Sequence, residues 1–353
     1  MIIFRYLAKE VFITLVSLTA ILMLIFLSNQ FVQYLNRAAS GNIPGMIVMK
    51  LMMLELPNLM GLLLPLGFYI ALLLAYGRLY ADNEMTILRA SGYGPKQLLK
   101  HSFIMASFVA FLVALVVFWA SPQVYVERAK LIRTAGIQTI IQTIMPGKFH
   151  AIGDRVFFVQ SMNKEHTKAN KVFLAQHLQK EGKRYWDILW AQQAFAQIDA
   201  QQDYLVLSQG KLYQGIPGQA DYRVSEFKEY KTKLPARTVN IKEDIRTHST
   251  QSLLPITGKD PLKAAELQWR ISIPLMVLTL TLVAVPLSRI SPRAGKFAKL
   301  LPAILIYILY ANAMFVARDA LSSGKVPLWL GMWWVHVLVI VLGLFLIWRN
   351  QVK

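Results

Sequence analysis

The stretch VFITLVSLTAILMLIFLSNQFVQYLN (residues 11–36) contains no Asp, Glu, Lys or Arg. It is long enough to cross a bilayer as a single helix. Further charge-free stretches of at least 18 residues lie at 56–77, 101–126, 271–288, 300–317 and 326–348. Backbone groups in lipid must be hydrogen-bonded within the segment, which favours helices for runs of this length. The sequence therefore predicts an α-helical membrane protein with six transmembrane helices.

The six predicted spans form two groups of three, separated by one large insert. We predict an N-terminal membrane half over 1–121, an inserted domain over 122–267 and a C-terminal membrane half over 268–353. The first half begins with a short amphipathic segment, MIIFRYLAKE, that suits a membrane surface or a cytoplasmic flank. We expect the first span to be retained, because it is longer than the apolar core of a cleaved signal peptide.

The insert has the sequence pattern of an all-β domain. Short runs rich in β-branched and aromatic residues are separated by Gly, Asn, Asp and Lys clusters, and they predict strands at 155–162, 171–177, 203–210 and 211–216. Both faces of the first run are apolar, which is typical of a sandwich or a β-jellyroll-like domain. Alternation leaves open which face is inside. The candidate interior residues are Phe157, Val159, Phe173 and Leu205.

The chain carries a net charge of +19, and its basic residues are unevenly placed around the predicted spans. More of them flank one set of span ends than the other. The positive-inside rule then places both termini and the loops 78–100 and 289–299 in the cytoplasm. The inserted domain falls on the outer side. The chain has no cysteine, so disulfides play no part in the prediction.

Motifs for catalysis or for binding of nucleotides and metals are not found in the sequence. The segment SGYGPKQ (91–97) is the nearest approach to a phosphate-binding P-loop and lacks its glycine and lysine spacing. HExxH and GxSxG do not occur. The membrane-associated acids lie near span ends, and we expect His336 to be a hydrogen-bonding residue between helices. We therefore predict no catalytic residue, metal, cofactor or nucleic-acid partner.

The segment ADNEMTILRASGYGPKQLLK (81–100) joins two predicted spans and suggests a short helix on the cytoplasmic side. We expect an Asp at its start to act as the N-cap, and Pro95 to begin the next helix. Apolar side chains, a carboxylate and an Arg would project from it. The segment either docks in a groove of a cytoplasmic partner or is a connector that lies on the surface. The residues concerned are Asp82, Glu84, Met85, Ile87, Leu88 and Arg89.

Four segments together resemble the lipopolysaccharide export permeases LptF and LptG. They are MIIFRYLAKE, ADNEMTILRASG, AELQWRISIPL (265–275) and VPLSRISPRAGKFAKLLPAILIYILY (285–310). ELQWR followed by PRAGK is closer to the LptF branch of the family. The resemblance implies the transmembrane permease subunit of an ABC exporter in the bacterial inner membrane, with a periplasmic jellyroll. The implied partners are the paralogous permease LptG, a dimer of the cytoplasmic ATPase LptB, LptC with the periplasmic bridge, and lipopolysaccharide.

The resemblance also implies roles for individual residues. Segment 82–90 matches the family's coupling helix, which contacts the ATPase, with Glu84 at its acidic position. The first and fifth spans are implied to line a lipid-sized cavity, where arginines contact phosphates and aromatic residues contact acyl or sugar groups. At positions 30 and 33, where relatives can be basic, this chain has Gln30 and Gln33. The candidate substrate-binding residues are Phe26, Gln30, Phe31, Tyr34, Arg37 and Arg318.

Two alternatives remain open at this stage. Arg37 could simply anchor the first span at the membrane interface. The whole chain could be a membrane sensor, in which the outer β domain detects a ligand and segment 82–90 relays its state. The two functions differ in whether the first and fifth spans line a cavity for lipid.

Overall fold

A computed structural model describes residues 2–39, 43, 45–143, 146–152, 155–163, 168–180, 183–198, 203–216, 222–233, 244–254, 260–289 and 299–351. Within these ranges the chain divides into two compact units. One unit contains most of the apolar helices, over Met1–Gln33, Met49–Arg128 and Ile241–Lys353. The other comprises Tyr34–Val48 and Ala129–Asn240, and includes the β strands.

The helices follow the charge-free stretches of the sequence. They are α1 (Ile2–Ala39), α2 (Val48–Ala81), α3 (Glu84–Ala90), α4 (Pro95–Leu115), α5 (Ser121–Thr143), α6 (Thr250–Leu253), α7 (Pro261–Leu287), α8 (Leu300–Ser322) and α9 (Trp333–Gln351). A π-helical turn, Val116–Ala120, connects α4 with α5. Short 3₁₀ helices occur at Gly45–Ile47 and Ile245–Thr247.

Among the described residues, five helices are long and apolar enough to cross a membrane. They begin at Ile2, Gly45, Pro95, Pro261 and Leu300. The sixth predicted span falls on α9, whose apolar part, Trp333–Arg349, is shorter than the other five. The full α9 has 19 residues, and at 1.5 Å per residue it is about 28 Å long, close to the thickness of the bilayer core.

Helix α7 lies at the centre of the helical unit and packs against α4, α8 and α9. Hydrogen bonds join these apolar helices at buried positions. The hydroxyls of Tyr76 and Ser102 are 2.8 Å apart. Those of Thr279 and Tyr310 are 2.9 Å apart, and Tyr310 also contacts Nδ1 of His336. His336 is therefore a hydrogen-bonding residue between helices, as the sequence predicts.

The inserted unit contains one six-stranded antiparallel sheet in sequence order. Its strands are β1 (Phe149–Ile152), β2 (Arg155–Met162), β3 (Lys168–Lys180), β4 (Lys183–Ile198), β5 (Asp203–Gly215) and β6 (Tyr222–Lys233). This confirms an inserted all-β domain between two helical halves. The described strands lie in a single meander rather than in two separate sheets. The two strands predicted within 203–216 are one strand, β5.

One face of the sheet forms a buried apolar core. Phe157 and Val159 are almost fully buried in it, and Leu205 packs against its edge. Phe173 was also predicted to lie inside, but its ring is on the opposite face, 6.2 Å from that of Phe149. The reason is strand alternation, because Val172 and Leu174 on either side of Phe173 point into the core.

The loop between α8 and α9 is fixed by a glutamine of α7. The amide nitrogen of Gln268 donates to the carbonyl of Leu328 at 2.8 Å, and its Oε1 accepts from the backbone N–H of Met332 at 2.9 Å. Gly331 lies against this side chain with φ +36°, and a Cβ there would be 1.9 Å from Oε1 of Gln268. Only glycine fits this position without displacing Gln268.

Gly331→Ala is expected to destabilise the chain more than Gly324→Ala. Both positions have positive φ, which costs roughly 1–2 kcal/mol for an alanine, but no atom lies within 4 Å of a Cβ at Gly324. At Gly331 the alanine also breaks the hydrogen bonds of Gln268, at a further cost of about 1–3 kcal/mol. Thermal unfolding of the two purified variants, followed by tryptophan fluorescence, measures the difference. Equal melting temperatures would contradict the conclusion that the side chain of Gln268 fixes the loop and requires glycine at position 331.

Candidate functional site

The segment between α2 and α4 folds as predicted into a short helix, α3, followed by a tight turn. The turn is made by Gly92, whose φ is +90°, and Pro95 begins α4. The predicted cap is wrong. Asn83, not Asp82, holds the N-cap position, with φ 60° and without a side-chain hydrogen bond. The backbone N–H of Asp82 instead donates to the carbonyl of Arg78, which continues the last turn of α2.

The apolar residues of α3 point in two directions. Met85 is buried in the core of the helical unit, and Leu88 is partly buried against that core. Met85 is therefore not part of an exposed apolar edge, because it anchors α3 to the bundle. Ile87 is 66% exposed. An isoleucine held in this position on a fixed helix is available to a partner.

The charged residues of α3 are held by aromatic side chains. Nη2 of Arg89 donates to the hydroxyl of Tyr80 at 3.0 Å, and the guanidinium lies 5.4 Å from the centroid of that ring. The hydroxyl of Tyr6 in α1 donates to Oε2 of Glu84. The short helix is thus attached to both α1 and α2, so a force on α3 reaches two of the apolar helices.

A buried charge cluster lies near the start of α7, away from α3. The carboxylate of Glu266 accepts from Nε of Arg270 at 2.9 Å and from Nη2 of Arg318 at 2.6 Å. Glu266 and Arg270 are 4% and 2% exposed. Arg318 belongs to α8 and also stacks over the ring of Trp269, 4.7 Å from its centroid. We call Glu266, Arg270 and Arg318 the Glu266 cluster.

Arg270 connects this cluster to the segment that follows the β strands. Its Nη1 donates to the carbonyl of His248 and to the hydroxyl of Thr250, each at 3.0 Å. Its Nη2 donates to the carbonyl of Arg246 at 3.1 Å. The hydroxyl of Thr250 in turn donates to the carbonyl of Phe118, in the π-helical turn, at 2.8 Å. One guanidinium therefore fixes residues 246–250 against α7.

The Glu266 cluster lines a pocket of about 260 Å³. Arg246 lies in the same pocket, with its guanidinium 5.1 Å from the ring centroid of Tyr125 and paired with Asp244 at 2.9 Å. Burial raises the pKa of the Asp244 carboxyl, but the hydrogen bonds from Arg246 outweigh it, so the pKa lies below its usual value. The lining residues are Glu55, Asn58, Leu59, Gly61, Leu62, Val117, Ser121, Tyr125, Arg246, Glu266, Trp269, Arg270, Ile273, Phe315 and Arg318.

The predicted substrate-binding residues are in different environments. Phe26 and Phe31 are 40% and 39% exposed on α1, and Gln30 is partly buried. Tyr34 is fully buried, so its ring is not on the exposed surface, while the guanidinium of Arg37 is exposed and lies 5.9 Å from that ring. Arg318, far along the chain, is already paired with Glu266.

The apolar helices differ greatly in how much of their surface this chain covers. In the most apolar window of α1, 11% of the residues are buried, against 67% for both α2 and α7. For α8 the share is 28%, and for the helical stretch Pro95–Ile132 it is 33%. Helices α1 and α8 therefore present most of their apolar side chains to something other than this chain, which is lipid or another subunit.

Comparison with known proteins supplies the family. The family model for the lipopolysaccharide export system permease LptF/LptG matches residues 5–349. The chain belongs to the LptF/LptG family. It is 30% identical over 349 residues to the lipopolysaccharide export system permease protein LptF of Escherichia coli (strain K12), covering 98% of this chain and 94% of that protein. The LptF protein of Shigella flexneri matches with the same identity and coverage.

The helical halves and the inserted sheet are thus those of an LptF/LptG permease, a component of lipopolysaccharide transport. The inference from the four sequence segments is confirmed at the level of the family. The Glu266 cluster, however, was not predicted as a site. The feature of the sequence that could have indicated it is the four-residue spacing of Glu266 and Arg270 within the segment ELQWR, which allows an ion pair on one helix.

Glu266→Ala is expected to destabilise this LptF/LptG chain by about 3–5 kcal/mol, because it leaves a buried arginine without its carboxylate. Glu226→Ala is the matched control: this residue also pairs with a basic side chain, Lys211 at 2.8 Å, but the pair is exposed. Thermal unfolding in detergent or nanodiscs should show a large drop for Glu266→Ala and little change for the control. Equal, small effects would mean that the Glu266 cluster adds nothing to stability.

Proposed function

We propose that the chain is the transmembrane permease subunit of an ABC exporter that extracts lipopolysaccharide from the inner membrane. A separate cytoplasmic ATPase of the LptB type supplies the energy. The chain pairs with a paralogous LptG permease, and its β domain lies in the periplasm and passes the lipid to LptC and the bridge. The observation that carries this proposal is the uncovered apolar surface of α1 and α8, together with the attached helix α3.

Helices α1 and α8 are the proposed walls of the cavity for lipopolysaccharide. Both are apolar along their length and little covered by this chain. Phe26 and Phe31 are exposed on α1 for contact with acyl or sugar groups, and Arg37 is exposed for a phosphate. Arg318 reaches a phosphate only if it leaves Glu266. The second permease subunit then closes the cavity from the other side.

Helix α3 is the proposed contact with the ATPase. Its exposed residues are Thr86, Ile87 and Ala90, and Ile87 is the large apolar side chain among them that could enter a groove. Glu84 and Arg89 tie the same helix to α1 and α2. A movement of the ATPase would thereby reach α1, one proposed wall of the cavity.

In the β domain, the buried apolar face is the proposed path for acyl chains. Phe157, Val159 and Leu174 belong to it. Acyl chains could contact this face if the segments that cover it moved away. The outer edge strand, β6, pairs within the described residues with β5 on one side, and its other edge suits a strand of the next β domain.

Glu84→Ala is expected to weaken copurification of the ATPase, or to separate ATP hydrolysis from lipopolysaccharide release, by at least about fivefold, equivalent to ~1 kcal/mol. The substitution also removes the hydrogen bond from Tyr6. Tyr6→Phe is therefore the control, because it removes the same bond and keeps the carboxylate. Binding of the purified ATPase and release of lipopolysaccharide from proteoliposomes are measured for both variants.

If Tyr6→Phe reproduces the full defect, Glu84 acts within the chain and not on the ATPase. If neither variant changes binding or release, α3 is a surface connector.

A photo-crosslinking residue at Phe31 is expected to label lipopolysaccharide in the active complex. The same residue at Phe111 is the control, since Phe111 is 63% exposed on α4, outside the proposed cavity. Labelling is detected by immunoblot against lipopolysaccharide. Labelling at Phe31 and not at Phe111 supports export through a cavity at α1. Equal labelling at both positions, or no labelling at Phe31 while ATP is hydrolysed, favours the sensor function.

A further inference from the structure

A basic pocket lies beside α3, at the end of the bundle opposite the Glu266 cluster, and has a volume of about 70 Å³. The ends of α2, α4, α7 and α9 surround it together with α3. Three cations and three apolar side chains define it: Arg89, Lys96, Arg289, Leu99, Val285 and Ile347. None of its lining residues is acidic. We call this site the basic pocket.

Positive charge is crowded around the basic pocket. The ammonium of Lys299 donates to the backbone carbonyl of Arg289. Burial lowers the pKa of Lys299, and the charges of Arg289 and Arg349 lower it further. Since the lining of the pocket supplies no carboxylate, an anion bound there would gain from Arg89, Lys96 and Arg289.

The first turn of α4 adds to this positive potential. Gly94 holds the N-cap position, so no side chain accepts a hydrogen bond from the first N–H groups of the helix. The first turn has no acidic residue, and it contains Lys96, which is exposed. Pro95 has no N–H, and the N–H groups of Gln97 and Leu98 donate to the carbonyl of Gly94. The start of α4 therefore favours a phosphate mainly through its dipole.

The walls of the basic pocket are apolar and continue onto a surface that suits lipid. Ile347 lies on α9, next to Trp348, which is 63% exposed, and close to Phe345, which is 49% exposed. Exposed tryptophan near the end of an apolar helix is typical of the interface between a membrane and water. A soluble phosphate compound would leave these apolar walls without a contact, whereas a lipid would cover them.

We propose that the basic pocket binds one anionic phospholipid from the leaflet at this end of the bundle. Its phosphate lies among Arg89, Lys96 and the first turn of α4, and an acyl chain lies against Leu99 and Ile347. Because Arg89 belongs to α3, the bound phospholipid also holds α3 against the bundle. This site goes beyond the transport of lipopolysaccharide and does not depend on it.

The test uses the full chain purified in the complex with which it copurifies. Native mass spectrometry measures retention of phosphatidylglycerol and of phosphatidylcholine with the same acyl chains. The wild-type complex is expected to bind phosphatidylglycerol at least about tenfold more tightly. Lys96→Glu is expected to remove about tenfold of this affinity, the size expected for a charge-assisted hydrogen bond. Lys100→Glu is the matched control, because it is an exposed lysine of the same helix that does not line the pocket.

Three results would overturn the proposal. The first is equal retention of the two lipids by the wild-type complex. The second is an equal effect of Lys96→Glu and Lys100→Glu. The third is displacement of bound phosphatidylglycerol by glycerol 3-phosphate at about 10 mM. That result would assign the pocket to a soluble phosphate. Since lipid retention is the readout, these outcomes are independent of whether the complex exports lipopolysaccharide.

Discussion

The carboxylate of Glu266 is the interaction on which the end of the helical unit away from α3 depends. It neutralises two arginines from different helices, one of which is almost completely buried. A buried arginine without this carboxylate would be strongly unfavourable, so Arg270 must stay paired with Glu266. Because Arg270 also binds three groups in residues 246–250, the same carboxylate fixes the chain where it returns from the inserted domain.

The two ends of α7 have different chemistry, and one continuous helix joins them. At one end, the Glu266 cluster joins α7 to α8 and to the returning segment. At the other end, Val285 and Pro286 form part of the basic pocket beside α3. The distance along the helix is about 30 Å at 1.5 Å per residue. The packing of α7 against α4, α8 and α9 gives a continuous set of contacts between the two ends.

The sequence predicts the helices well, because absence of charge over 18 residues or more is a direct consequence of burial in lipid. It also predicts α3 from its turn residues, since Gly92 and Pro95 dictate the backbone around it. The direction of Met85 could not be predicted, because a seven-residue helix contains too few apolar positions to define a face. The sequence predicted an inserted all-β domain, but it divided β5 into two separate strands. Gln209, with φ 53°, lies within that strand and has the sequence context of a turn.

The Glu266 cluster shows the limit of sequence reasoning most clearly. Glu266 and Arg270 could be paired from their spacing. Arg318, which follows 52 residues after Glu266, and the backbone carbonyls bound by Arg270 depend on tertiary packing and leave no local pattern. A double-mutant cycle between Glu266→Gln and Arg318→Gln measures the central contact directly. The structure predicts a coupling free energy of about 1–3 kcal/mol in thermal unfolding. Additive effects, within about 0.3 kcal/mol, would contradict it.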